Sequence, residues 1–178
     1  MAPPSRRRFF TLLAAGTLAL ATRPAHAAVA AQSRELRFSH LHTGEALTVE
    51  YFQTGHYQPD ALEAVNHLLR DFRTGDVHVI DPALLDVLHA VRGRVASRRP
   101  FDVISGYRSP HTNAALRRTG DGVAARSLHM TGRAIDLRLR DVSLATLRRA
   151  GLAVGAGGVG YYPASNFVHL DTGRMRAW

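Results

Sequence analysis

Two segments, "RAIDLRL" at 133–139 and "FVHLD" at 167–171, alternate apolar and polar residues with a period of two. A strand turns successive side chains to opposite faces, so each segment builds one apolar row and one polar row. Ile135, Leu137 and Leu139 face one way and Ala134, Asp136 and Arg138 the other; Val168 and Leu170 oppose Phe167, His169 and Asp171. A sheet built on such strands needs cover on its apolar face only. The cover is available upstream, where "QPDALEAVNHLLRDFR" places Leu62, Val65, Leu68, Leu69 and Phe72 on one helical stripe. Asp81-Pro82 then opens a second helix carrying Leu84, Leu85, Leu88, Val91 and Val95 inward. The expected fold is α+β, with helices packed on one face of a mostly antiparallel sheet in a single domain.

The remaining elements fit that plan. "ELRFSHLHTGEALTVEYF" reads as a hairpin about Thr43-Gly44. "FDVISGY" is a short apolar strand running into a turn, and Ser109-Pro110 caps a helix continuing through Asn113 to Arg118. "GDGVAARS" is a glycine-bearing loop leading to His129, and a last helix lies near Val142 to Ala150, before a glycine-rich stretch.

The first residues stand apart. "SRRRFF" precedes an apolar run from Leu12 to Leu20 and then Ala25-His26-Ala27, a small-residue cleavage pattern. Residues 1–27 are read as a twin-arginine-type export signal, leaving a domain over 28–178 in the periplasm. The chain has no cysteine, which excludes disulfides, thiolate ligands and a cysteine nucleophile; any metal must rest on histidine, carboxylate and water. Beyond the leader, 19 arginines stand against 14 acidic residues, a balance suited to an anionic partner such as the bacterial wall. Nucleic acid is disfavoured, because no binding motif with interleaved aromatics is present. Stable membrane insertion after removal of the leader and assembly beyond a monomer are not expected.

If the two alternating strands are neighbours, Asp136 and His169 converge on the polar face, and His129 approaches from the loop before the first strand. Gly132 lets the intervening backbone turn. Two imidazoles and a carboxylate suit catalytic zinc, which keeps a fourth position for water. Arg108, on the turn after a strand, is a permanently charged candidate to stabilise an oxyanion or grip a substrate carboxylate. His56, His67, His78 and His89 are read as surface or core residues, and His40 and His42 as part of the hairpin.

Ser127-x-His129-x-x-Gly132-x-Ala134-x-Asp136 resembles the zinc signature of the D-Ala-D-Ala metallopeptidases (peptidase family M15), and "SGYRS" at 105–109 resembles their arginine turn. His42-Thr43-Gly44-Glu45 and "GGVGYYPASNFVHLDTG" are similar to the YcbK-like branch of murein endopeptidases. The resemblance implies that His129, Asp136 and His169 bind zinc, that Arg108 stabilises the scissile carbonyl, and that Ser127 and Tyr107 stand beside the substrate. It implies hydrolysis of peptidoglycan stem peptides, at crosslinks or at a terminal D-alanine; a noncatalytic wall-binding module is the alternative. Some relatives carry a glutamate base three residues before the last histidine, where this chain has Asn166, and an amide cannot take that proton. Asp171, on the face of His169, is the substitute candidate, or else a carboxylate that orients the imidazole. His111 is a weaker choice.

Overall fold

The hairpin pairs β1 (Arg34–His40) with β2 (Ala46–Gln53) antiparallel, placing Leu36 opposite Val49 and Phe38 opposite Leu47. These and all later coordinates come from a computed structural model that describes residues 33–119 and 123–178. The leader expected at 1–27 and residues 120–122 of the glycine-bearing loop lie outside the described residues. A two-residue strand, β3 (His56–Tyr57), extends the hairpin before α1 (Pro59–Leu68), which has proline in its first turn. The apolar stripe leaves the helix before Phe72, because the backbone N–H groups of Thr74 and Gly75 close a turn onto the carbonyl of Asp71. Phe72 instead stacks on the His42 ring, with centroids 4.1 Å apart.

Helix α2 (Pro82–Arg94) begins as expected: the Asp81 carboxylate accepts from the Ala83 N–H, satisfying one of the free donors of the first turn. Then follow β4 (Phe101–Ser105), α3 (Pro110–Thr119), a 3₁₀ turn at Leu128–Thr131, β5 (Ala134–Arg138) and α4 (Leu144–Val154). The Ser143 hydroxyl accepts from the Thr146 N–H and starts α4. The last elements are β6 (Gly158–Tyr162), β7 (Phe167–Asp171) and β8 (Arg176–Ala177).

All eight strands join one sheet in the order β3-β2-β1-β4-β5-β7-β6-β8. Only β1–β4 and β6–β8 run parallel. Helix α1 lies on β2, α2 on β1, and α4 on β6 and β7, with α2 and α4 also in contact. Between these layers Leu36, Phe38, Val103, Ile135, Leu137, Val168 and Leu170 meet Val65, Leu84, Leu88, Val91 and Leu147, all buried. Each such side chain contributes about 1.5–3 kcal/mol, which offsets the cost of the polar groups buried on the sheet's other face. Helix α3 buries only Thr112 and Asn113 and sits apart from that core. Among the described residues, no helix is long and apolar enough to cross a membrane.

Candidate metal centre and its cleft

Strands β5 and β7 are hydrogen-bonded neighbours, and Asp136 stands directly opposite His169. Cross-strand partners share a face, so period-two alternation alone brings this carboxylate and this imidazole together. The 3₁₀ turn carries His129 to them. Gly132 ends that turn at φ +66°, and a Cβ there would lie 2.0 Å from the Val79 carbonyl oxygen, so both backbone conformation and space require glycine.

The three side chains are buried and offer one ligand atom each, all within 4.8 Å of one another. His129 Nε2 lies 3.2 Å from His169 Nδ1, His169 Nδ1 2.8 Å from Asp136 Oδ1, and His129 Nε2 3.3 Å from Asp136 Oδ2. Tetrahedral zinc with bonds of about 2.0–2.1 Å separates its ligand atoms by roughly 3.3 Å, so this set fits the ion.

The outer partners fix which nitrogens face inward. His129 Nδ1 is 2.7 Å from the Gly106 carbonyl oxygen, which can only accept, so Nδ1 carries a proton and Nε2 is the nitrogen turned inward. His169 is used the other way round: Nε2 donates to Asp171 Oδ2 at 3.0 Å, so Nδ1 is the nitrogen turned toward Asp136 and His129 and available to an ion. Asp171 is itself fully engaged. Its Oδ1 accepts from the backbone N–H groups of Gly158 (2.9 Å) and Gly173 (2.8 Å), and the Arg176 guanidinium bridges both oxygens.

Charge follows this wiring. Burial alone would raise the Asp136 carboxyl, but the attraction and hydrogen bond of His129, then those of His169, hold it well below the usual carboxylate range. Burial likewise opposes ionisation of Asp171, and hydrogen bonds from His169, Arg176, Gly158 and Gly173 outweigh it. His169 is the converse case: burial disfavours its charged form, yet hydrogen bonds to Asp136 and Asp171 carry it above its ordinary value.

Arg108 reaches the same point from the end of β4. Its guanidinium lies 3.6 Å from Asp136 Oδ2 and 3.5 Å from the Asn113 side-chain oxygen, and burial lowers its pKa against the pull of Asp136. The turn that holds it is docked on the segment after α1. The Tyr107 N–H donates to the Leu69 carbonyl, the Ser109 N–H donates to buried Asp71, and a Cβ at Gly106 would lie 2.5 Å from the Leu69 carbonyl oxygen.

The group opens into a cleft of about 490 Å³ whose walls include Arg108, Arg126, Ser127, Tyr162, Arg176 and Trp178. Of the residues expected beside substrate, Ser127 lines this cleft. Tyr107 does not; its ring stacks on His78, with centroids 4.6 Å apart. Asp171 lies behind His169, with a side chain sealed from solvent, a placement that suits the orienting role. His40 is buried under Phe72 and His42 stacks on Phe72, away from the centre.

The chain is similar to known proteins over nearly its whole length. The family model described as peptidoglycan L,D-endopeptidase MepK matches residues 28–178. The peptidoglycan L,D-endopeptidase MepK of Escherichia coli K12 is 42% identical over 177 residues, covering 98% of this chain and 97% of its own. The chain belongs to the MepK peptidoglycan endopeptidase family. The probable MepK of Haemophilus influenzae is 41% identical over 146 residues, covering 82% of this chain and 78% of its own. The L-Ala D-Glu endopeptidase ChiX of Serratia marcescens overlaps 43% of this chain and 62% of its own, at 25% identity and a TM-score of 0.34.

In this member of the MepK family, several parts of the site escaped sequence reasoning. Asp71 sits outside every motif and gains its role from the turn it pins. Arg176 and Trp178 reach the cleft through β8, a strand too short to show a period. Tyr162 lies in the glycine-rich stretch, which proved to contain β6.

Proposed function

We infer that this chain is a zinc-dependent peptidoglycan endopeptidase, working as a monomer in the periplasm after twin-arginine export, that hydrolyses L,D peptide bonds joining stem peptides. The observation that carries the reading is the convergence of His129, Asp136 and His169 at the floor of an open cleft, under the Arg108 guanidinium. Similarity over nearly the whole chain to proteins named for peptidoglycan L,D-endopeptidase activity supports the substrate class.

His129 Nε2, His169 Nδ1 and an Asp136 oxygen would hold the ion. Zinc in such a setting polarises a carbonyl and lowers the pKa of water to about 7. The chain's own residues supply the rest. The Gly106 carbonyl and Asp171 orient the two imidazoles, so that His129 Nε2 and His169 Nδ1 face inward, where they would bind an ion once His169 Nδ1 has given up its proton. Arg108 holds a permanent positive charge where the carbonyl oxygen gains negative charge, in a buried setting that strengthens the interaction. Ser127, on the cleft wall, is positioned to hydrogen-bond the peptide backbone.

The cationic wall formed by Arg108, Arg126 and Arg176 matches stem peptides, which carry free carboxylates. Asp136 is the one carboxylate on that wall among the described residues, and it belongs to the ligand set.

The test is mass analysis of purified crosslinked muropeptide dimers incubated with residues 28–178, with and without zinc. Conversion of dimers to monomers, abolished by chelation and by His169→Ala, is the expected result. Intact dimers in the presence of bound zinc contradict the proposal. Loss of terminal D-alanine alone would replace the endopeptidase by a carboxypeptidase.

A further inference from the structure

Among the described residues, the proton of the Tyr162 hydroxyl has no acceptor. In β6, Gly160 pairs with His169 and Tyr162 with Phe167, so this side of β6 shares the face of the metal centre. Gly160 is required there because two aromatic rings cross over it: a Cβ would lie 2.8 Å from Tyr162 Cε2 and 2.8 Å from Trp178 Cε2. The Tyr162 ring is therefore folded back along its own strand, over the partner position of His169. It is held by stacking on Phe167, with centroids 4.6 Å apart, while the Trp178 ring stands 5.3 Å from that of His169.

The hydrogen-bond pattern then sets the direction of the hydroxyl. Trp178 Nε1 lies 2.7 Å from the Tyr162 oxygen. An indole N–H can only donate, so the phenol oxygen is the acceptor and its own proton must point elsewhere. Among the described residues nothing receives it, and Tyr162 lines the same cleft as Arg108, His129 and His169. Arg176 stacks on Trp178 with its guanidinium carbon 4.8 Å from the ring centroid, and its other contacts tie that indole to Asp171 and so to His169. A neutral donor is thus aimed by one fixed bond and held rigid on a strand beside the metal ligands, as a preorganised oxyanion donor must be.

We propose that the Tyr162 hydroxyl donates a hydrogen bond to the oxygen of the scissile carbonyl as it becomes an oxyanion, acting with Arg108, and that Trp178 is the positioning residue that aims it. When a hydroxide oxygen adds through its own lone pair to the carbonyl carbon, one carbon–oxygen σ bond forms and the C=O π pair moves onto the carbonyl oxygen, giving a tetrahedral anion with no proton left to remove at this step; Tyr162 donates a hydrogen bond to that carbonyl oxygen and keeps its proton. The proposal rests on the peptidase reading above. It gives the hydroxyl a role that a stacking ring alone cannot fill.

The test compares wild type, Tyr162→Phe and Trp178→Phe, all zinc-loaded, in two assays: hydrolysis of a crosslinked muropeptide dimer, and calorimetric binding of a phosphinate isostere of the L,D bond, whose tetrahedral anion mimics the adduct. Phenylalanine at 162 keeps the ring and removes only the donor. Loss of one such donor lowers kcat by about 10²–10³-fold. Tyr162→Phe is expected to show that loss with wild-type KM, zinc content and Tm, and to weaken the phosphinate by a similar factor while leaving binding of the unreacted peptide unchanged. Trp178→Phe should fall between the two, because the hydroxyl remains but is no longer aimed. An active wild type matched by Tyr162→Phe in both kcat and phosphinate affinity overturns the proposal alone. A parallel loss of substrate affinity or melting temperature in Tyr162→Phe also overturns it, because the residue would then be structural. A wild type that cuts no muropeptide removes the peptidase reading and this proposal with it.

Discussion

Replacing Asp171 by asparagine separates two roles that one carboxylate could play. The side chain accepts from Gly158 N–H, Gly173 N–H and Arg176 on Oδ1, and from His169 and Arg176 on Oδ2. An amide oxygen can serve only one of these sides. The Oδ1 side offers three donors and the Oδ2 side two, so the oxygen takes the first position and the amide NH₂ faces His169. There it meets another N–H. The conflict is relieved when His169 moves its proton to Nδ1, the nitrogen that faces Asp136 and His129. The substitution thus places a proton on the ligand lone pair. Two charge-assisted hydrogen bonds are lost, about 1.5–3 kcal/mol each, with the Arg176 share reduced because that side chain is 31% exposed. Loss of such a partner lowers metal affinity by about 10–100-fold. Zinc competition against a chelator should show that drop, and at saturating zinc kcat should return to within a few-fold of wild type. A kcat still depressed by about 10²-fold or more at full zinc occupancy would mean that Asp171 moves protons in the reaction. Unchanged zinc affinity would mean that it does not orient His169.

Further outcomes follow from the same geometry. Arg108→Lys should keep zinc but lower kcat by about 10²–10³-fold in the muropeptide assay, because an ammonium cannot reproduce the planar fork. Gly106→Ala forces a Cβ to within 2.5 Å of the Leu69 carbonyl oxygen, an overpacking cost of about 1–3 kcal/mol; thermal melts should register it, with activity falling further because the Arg108 turn moves. The lowered pKa values of Asp136 and Asp171 give the zinc-free protein stability that is present above about pH 4 and lost as pH falls below it. The raised pKa of His169 adds stability that is present below about pH 6.5 and lost as pH rises through its folded value. Urea midpoints of the zinc-free protein should therefore peak between those limits.

Much of this was legible in the sequence because strand periodicity is local. The alternation in 133–139 and 167–171 placed Asp136 and His169 on polar faces, and the neighbouring of β5 and β7 turned that into a distance. The hairpin, the Asp81 cap and the α2 core residues were legible for the same reason. What stayed hidden depends on distant partners. The stretch 155–160 reads as a loop because its glycines mask a strand, yet Gly157 is small because its place lies against the Asp171 carbonyl, and Gly160 because two rings cover it. Phe72 follows the stripe of α1 in sequence but leaves it in space, since a turn at Asp71 intervenes. Tyr107 shares a motif with Arg108, but successive residues point apart, and its ring packs on His78 instead of facing the cleft.

Anomalous diffraction at the zinc edge from zinc-loaded crystals tests the central claim directly. The account predicts one strong peak per chain, bonded to His129 Nε2, His169 Nδ1 and Asp136 oxygen at about 2.0–2.2 Å, with a further position open to the cleft. A peak on other residues, or a coordination shell closed by protein atoms alone, would contradict it.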